Sequence, residues 1–328
     1  MEFLTSNQSA AQRPPRVLFF GMQGDFSSTV LTALLDSGID VCAVVLAAVP
    51  VPGRNPPAIQ LREQSRAMRS VLPLVQGSGA TFPMQLAQLA WNHHIPVWDV
   101  YRFAHRDTVA ALSVYQPDIL CVACFSRLIP SALLQLPRLG ALNVHPSLLP
   151  ALRGPDPLFW TFREGHATTG VTIHFMSAQM DSGDILAQEV IPVPDGVTYE
   201  QLETRCASTG GSLLVTSIWQ LYKGSVIRRV QDEANRSYYS LPIAEDFIVP
   251  VAAWDARRAY NFVRGMSSWD TPVLFSIEEA LVPVRDCSSY SLDTPCPISL
   301  SQSAGEVIVP CRVGWVHAVL DAPARVVP

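Results

Sequence analysis

Three runs of the chain are apolar without alternation: RVLFFG from Arg16, VCAVVLA from Val41 and the stretch around ILCVACF from Asp118. A strand wet on one face alternates polar and apolar residues. A strand apolar on both faces must be covered on both, which is the condition of a parallel sheet sandwiched by helices. The intervening sequence supplies those helices, at Ser27 to Ser37, Gln85 to Asn92 and Ser131 to Leu136, with further strands at Ile95 to Trp98 and Leu142 to His145. The pattern predicts an α/β fold with a Rossmann-like parallel sheet. Such sheets bind ligands at the carboxyl ends of their strands, which here carry Cys124, Asn143 and His145.

Two segments break the alternation. Residues 49–83 form an insertion longer than ordinary αβ connections, with a helical reading over IQLREQSRAMRSVL. After a long helix at Tyr199 to Tyr222, the polar stretch 224–243 reads as a linker. Beyond it a helix at Ala256 to Arg264 precedes short strand-like runs at Val273 to Ile277, Ala280 to Val284, Val307 to Cys311 and Trp315 to Leu320, the signature of a small β-rich, OB-like domain. The expected division is a flexible tail at 1–15, a catalytic domain at 16–223, the linker, and a C-terminal β-rich domain at 244–328.

The longest apolar run, VCAVVLAAVPV, is about half the ~20 residues that a membrane-spanning helix needs, and Pro50 interrupts it. The first residues lack a basic stretch followed by an apolar core, so no signal peptide is expected and the location is read as cytoplasmic, without membrane partners. A net charge of −5 offers no global attraction to DNA or RNA. Cys121 and Cys124 form a CxxC inside an apolar run, where the odd spacing sends the thiols to opposite faces; buried cysteines rather than a metal or redox site are expected.

Asn143 and His145 stand two residues apart in ALNVH. In a strand, residues i and i+2 share a face, so an amide and an imidazole stand side by side, a pair suited to a polarised carbonyl. Asp181, in QMDSGDIL, offers a carboxylate that can orient the imidazole, or it simply caps a loop beside Gly183.

The stretches NVHPSLLPALRGPDPLFW, TGVTIHFMSAQMDSGDIL and RVLFFGMQGDFSSTVLTALL resemble the folate-dependent formyltransferases, and the spacing of Asn143, His145 and Asp181 matches the catalytic trio of that family. YYSLPIAEDFIVPVAAWDARRAYNFVRGMSSWDTP is similar to the opening of the C-terminal domain in its methionyl-tRNA branch. The resemblance implies 10-formyltetrahydrofolate as formyl donor, a primary amine as acceptor and no metal. It also implies a folate-binding loop at Cys124, Phe125, Ser126, Arg127, Leu128 and Ile129. Arg127 either faces the folate glutamate tail or is solvated. Ser147 and Gly183 are expected to support the trio, and Arg153 and Phe26 to face the acceptor, although an aromatic at a helix start is equally a core residue. His174 matches a histidine of glycinamide ribonucleotide formyltransferase at the same offset before the Asp; it reads as a partner of Asp181 or as a satisfied core histidine.

The acceptor divides the readings. Arg62, Arg66 and Arg69 are spaced for one helix face, and with Arg54 they give residues 49–83 four arginines against Glu63 alone. In the resembled methionyl-tRNA enzymes an insertion at this place grips the acceptor stem, which suits initiator methionyl-tRNA; a solvated face is the alternative. The segment 244–328 carries ten acidic residues and six arginines, whereas a tRNA-tracking domain needs a basic stripe. A small amine, an amino sugar or amino acid, is therefore the second acceptor class. Hydrolysis of 10-formyltetrahydrofolate is an alternative reaction, and a non-catalytic folate-binding protein an alternative class.

Overall fold

The structure is a computed structural model that describes residues 13–53, 55–64, 85–293 and 305–320. The chain forms two compact units, Met1–Asn143 with Gly211–Ile227, and Val144–Gly210 with Arg228–Pro328. One boundary, between Ile227 and Arg228, falls inside the stretch 224–243 read as a linker; the others follow Asn143 and Gly210.

The first unit holds β1 (Arg16–Gly21), α1 (Asp25–Asp36), β2 (Asp40–Ala47), β3 (Ile59–Leu61), α2 (Leu86–Asn92), β4 (Val97–Val100), α3 (Arg106–Ser113), β5 (Ile119–Ala123) and α4 (Ser131–Leu134). β1 pairs in parallel with β2 and with β5, and β2 in parallel with β4. Every residue of β5, and all but the ends of β1 and β2, is buried, as strands covered on both faces require. Pro96 cannot donate to a ladder, and β4 begins just after it, two residues later than the apolar pattern suggests.

The helix expected over 59–72 does not begin at Ile59: Ile59–Leu61 is an edge strand antiparallel to β4, and residues 65–72 of that expectation lie outside the described residues. Leu61 is followed by Arg62, whose guanidinium binds Asp99 at 2.7–3.0 Å. Arg54, Arg66 and Arg69 lie outside the described residues.

The base of β5 is tied down by Asp118, which is buried. Its carboxylate accepts hydrogen bonds from Arg13 at 2.7 and 3.1 Å, from Arg138 at 2.9 Å and from the Arg16 backbone N–H at 2.9 Å. Arg13, expected in a free tail, is thus an anchor.

β6 (Ala141–His145) carries the chain into the second unit, which contains α5 (Pro157–Arg163), β7 (Thr168–Phe175) and β8 (Ile185–Pro192). β7 and β8 are antiparallel, and their register slips between Ile173 and His174. α6 (Tyr199–Tyr222) spans the expected range and leads back into the first unit. The remainder comprises β9 (Ile248–Pro250), α7 (Ala256–Gly265), β10 (Val273–Ile277), β11 (Ala280–Ser291), β12 (Glu306–Pro310) and β13 (Trp315–Leu320), with one five-stranded sheet ordered β12-β13-β11-β10-β9. The β-rich C-terminal region is therefore present. The stretch read as a linker is bonded to other elements: Arg229 bridges Ile185, Tyr238 bridges Arg153, and Gln231 is buried. Among the described residues no helix is long and apolar enough to cross a membrane.

Burial alone would raise the Asp118 pKa, but the bonds from Arg13, Arg16 and Arg138 prevail and hold it below the ordinary 3.8. A carboxylate with a lowered folded pKa stabilises above its unfolded pKa and loses that contribution as pH falls through the folded one. Asp118→Asn is expected to cost about 2 kcal/mol near neutrality, the scale of charge-assisted hydrogen bonds. Urea titrations should show the deficit narrowing below about pH 4; a deficit independent of pH would mean that charge is not what Asp118 contributes.

Candidate active site

Asp181 has a left-handed backbone, φ 52°, a conformation that a non-glycine residue adopts at a cost of about 1–2 kcal/mol. The turn is held by its surroundings. Its Oδ2 accepts the Gly154 backbone N–H at 2.9 Å, and its carbonyl accepts Gln231 Nε2 at 2.7 Å. Gly183 follows, and a Cβ there would lie 1.9 Å from the carbonyl oxygen of Phe175, so only glycine lets the turn close against the end of β7.

Two imidazoles flank the carboxylate. His145 Nδ1 stands 3.8 Å from Asp181 Oδ2, and His174 Nε2 stands 3.7 Å from Oδ1. Each ring is oriented through its other nitrogen by a backbone carbonyl, His145 Nε2 by Leu152 at 2.9 Å and His174 Nδ1 by Phe175 at 2.8 Å. A carbonyl only accepts, so those nitrogens carry protons. In the neutral rings the nitrogens facing Asp181 then present lone pairs.

The rings are nearly perpendicular, 86°, with centroids 6.1 Å apart. His145 and His174 are almost fully buried, and the Asp181 side chain nearly so. Burial pushes the His174 imidazole down to about 4, against the pull of the Asp181 carboxylate and with a further push from His145. The irregularity in the β7–β8 register at His174 lets this residue turn toward Asp181, as bulges re-aim side chains. Rings held by carbonyls through one nitrogen also describe metal-ligating histidines. Among the described residues, however, no group of three His, Cys, Asp or Glu is placed to hold a metal.

The loop after β6 is braced from several sides. The Thr172 hydroxyl donates to Ser147 O at 2.7 Å and accepts the Leu149 N–H at 3.2 Å, while Gln188 Nε2 donates to Leu149 O at 2.7 Å. Ser147 Oγ donates to Ala151 O at 2.7 Å, so this expected supporting residue shapes the turn that delivers Leu152 O to His145. Leu152 is itself left-handed, φ 57°, and its N–H is received by Ser237 Oγ at 2.8 Å.

Arg153 requires a correction. It was expected to face an acceptor, yet it is 6% exposed, with its guanidinium bound to Gln231 Oε1 at 2.7 and 3.2 Å and to Glu233 at 2.6 and 3.3 Å. Its donors brace the site. Thr172, Gln188, Gln231 and Ser237 were missed by sequence reasoning, because polar residues in a strand or an apparent linker carry no periodic signal.

In the first unit, the loop after β5 opens at Cys124, exposed and left-handed at φ 56°. Phe125 packs edge-on against Phe20 and Phe103, and Ile129 is buried. Ser126, Arg127 and Leu128 are exposed, Leu128 by 77%. Of the six expected folate-loop residues, then, Phe125 and Ile129 anchor the loop and the others are at the surface. Phe26 is 5% exposed and belongs to the core, the alternative reading of this residue. Asn143 is half-buried in β6, two residues before His145.

Residues 15–218 match the family model described as Formyl transferase. A methionyl-tRNA formyltransferase of Synechococcus sp. (strain JA-2-3B'a(2-13)) is 34% identical over 77% of this chain and 80% of its own length. WlaRD, a sugar 3N-formyl transferase, superposes with a TM-score of 0.63 at 13% identity, over 95% of this chain and all of its own. HypX of Aquifex aeolicus gives 0.58 at 16% identity; 93% of this chain matches 45% of HypX, so the chain spans under half of that protein. The last two likenesses concern the fold. A transferase enzyme is the class defined. The chain belongs to the formyl transferase family.

The depressed His174 pKa sets an expectation for titration. His174 should remain the neutral Nδ1–H tautomer from about pH 8 to about pH 5 in ¹⁵N imidazole spectra; protonation near pH 6.5 would contradict the burial argument. Because the folded pKa lies below the unfolded 6.5, stability is complete above 6.5 and is lost as pH falls toward about 4.

Proposed function

We propose that the chain transfers the formyl group of 10-formyltetrahydrofolate to a primary amine, with initiator methionyl-tRNA as the acceptor and with Asn143, His145 and Asp181 as the reacting groups. The observation that carries this reading is the buried carboxylate of Asp181 facing His145 Nδ1 at 3.8 Å. The amine nitrogen attacks the formyl carbon, and a carbon–nitrogen bond forms while the carbonyl oxygen gains negative charge. The bond to N10 then breaks. The amine has one proton too many and N10 needs one, so the balance requires a group that accepts a proton and returns it.

Asp181 takes that role. Protonated His145 keeps Nε2–H on Leu152 O and carries a second N–H at Nδ1, on the side of Asp181; 3.8 Å from Oδ2 that N–H is beyond hydrogen-bond range of the carboxylate, and an oxyanion developing between them would receive it. Asn143 is the second donor, on the strand alternation that gives residues two apart one face. Burial disfavours the charged form of His174, so this ring does not compete for the proton. The exposed residues of the loop after β5, Cys124, Ser126, Arg127 and Leu128, are the proposed folate contacts. No metal has a part in this chemistry.

The methionyl-tRNA acceptor is supported by the kinship with the Synechococcus enzyme over four-fifths of its length. A small amine is favoured by one observation, the net charge of −4 over residues 244–328, which gives a polyanion little to hold. The fold likeness to a sugar 3N-formyl transferase accords with it. Arg62 contributes to neither, being occupied by Asp99, and the assignment of Arg66 and Arg69 falls outside the described residues.

His145→Ala and Asp181→Asn should each lower turnover by about two orders of magnitude with the far-UV spectrum unchanged, the scale for oxyanion donors and their partners. Near-native rates in either variant would remove that residue from the mechanism. EDTA should leave the rate unchanged, and 10-formyltetrahydrofolate should raise the melting temperature in its presence; a rate restored only by added zinc would overturn the metal-free mechanism.

A further inference from the structure

Gln231 lies in the stretch that composition reads as a linker, yet it is 5% exposed. A glutamine amide has two donor hydrogens and two acceptor lone pairs, and here all four are used. Nε2 donates to Asp181 O at 2.7 Å and to Gly183 O at 2.8 Å; Oε1 accepts from Arg153 Nη2 at 2.7 Å and Nε at 3.2 Å. One end of the amide therefore grips the turn that presents the catalytic carboxylate. The other grips the residue before Gly154, whose N–H binds that carboxylate, and after Leu152, whose carbonyl orients His145.

We propose that Gln231 is a positioning residue for formyl transfer: its amide registers the Asp181 turn against the Leu152–Gly154 segment, and so sets the carboxylate relative to the His145 ring. The inference rests on the reading of Asp181 and His145 as reacting groups. Glu233 assists by holding the far side of the Arg153 guanidinium, and the Ser237 carbonyl receives the Arg153 N–H at 3.0 Å. No other side chain of similar size meets both demands. Glutamate can satisfy Arg153 but sets a carboxylate oxygen against two carbonyl oxygens. Methionine fills the space and bonds neither.

The test compares Gln231→Glu and Gln231→Met with the native chain and with Asp181→Asn. Initiator methionyl-tRNA and 10-formyltetrahydrofolate serve as substrates, alongside ¹⁵N imidazole spectra of His145 and His174. Gln231→Glu keeps a partner for Arg153 and so retains the fold if Gln231→Met does not. Both Gln231 variants should lose about tenfold or more in kcat, with KM for each substrate within about twofold, as misplacement of reacting groups does. The His145 and His174 resonances should move at unchanged pH. A lowered melting temperature with native kcat and unmoved imidazole resonances would make Gln231 a stability residue only and overturn the proposal. Native kcat in Asp181→Asn would instead overturn the reading of the site, and the role of Gln231 with it. The imidazole resonances decide the matter whichever amine the enzyme uses.

Discussion

A carboxylate that must face two imidazoles at once cannot be left to a flexible loop, and the second unit is organised around meeting that constraint at Asp181. The carboxylate is aimed by a left-handed turn that is unfavourable for aspartate. The turn persists because its carbonyl, its Oδ2 and the carbonyl of Gly183 all have buried partners. Each such hydrogen bond contributes about 1 kcal/mol net, so three of them offset the strain. The imidazoles are fixed independently, each by a backbone carbonyl, so neither depends on Asp181 for its orientation. The nitrogens that remain face the carboxylate at 3.7 and 3.8 Å.

The segment Leu152–Gly154 serves two of these bonds. Leu152 orients His145, Gly154 binds Asp181, and Arg153 between them joins Gln231 and Glu233. A Cβ on Gly154 would meet the Tyr239 carbonyl oxygen at 1.9 Å, and Tyr239 N–H donates to Arg153 O at 2.9 Å. The strap 231–239 is thus packed against the loop without room for a side chain. Buried polar networks of this kind lose more than a single bond when one member is removed, because the partners are left unsatisfied away from water. This is why residues that never contact a substrate can govern the geometry of those that do.

The strands of the first unit could be read directly, because residues such as Val17, Phe19, Val44 and Leu120 are apolar on both faces and buried as that pattern demands. The Asn143 and His145 pair is visible in the strand pattern of ALNVH, whereas Asp181 and His174 stand out through the resemblance of their flanking motifs to the formyltransferases. The structure brings His145, His174 and Asp181 together. Arg62 misled because a helical spacing of arginines is also compatible with an edge strand that ends in an ion pair. Arg153 misled because charge suggests a surface, and only tertiary contacts reveal a buried guanidinium with Gln231 and Glu233 around it. Gln231 left no trace: a single glutamine among polar residues has no period, and its role exists only through partners 48 to 78 residues away.

Tetrahydrofolate release and formyl-product formation from 10-formyltetrahydrofolate, followed in parallel with initiator methionyl-tRNA, with a nucleotide-linked 3-amino sugar and with no amine, tests the account most directly. Release is expected to depend on methionyl-tRNA, with each tetrahydrofolate matched by one formylmethionyl group. Product on the amino sugar alone would retain the chemistry and transfer the acceptor to the small-amine class. Release at an equal rate without any amine, and without formylated product, would contradict the central claim and make the chain a hydrolase of the donor.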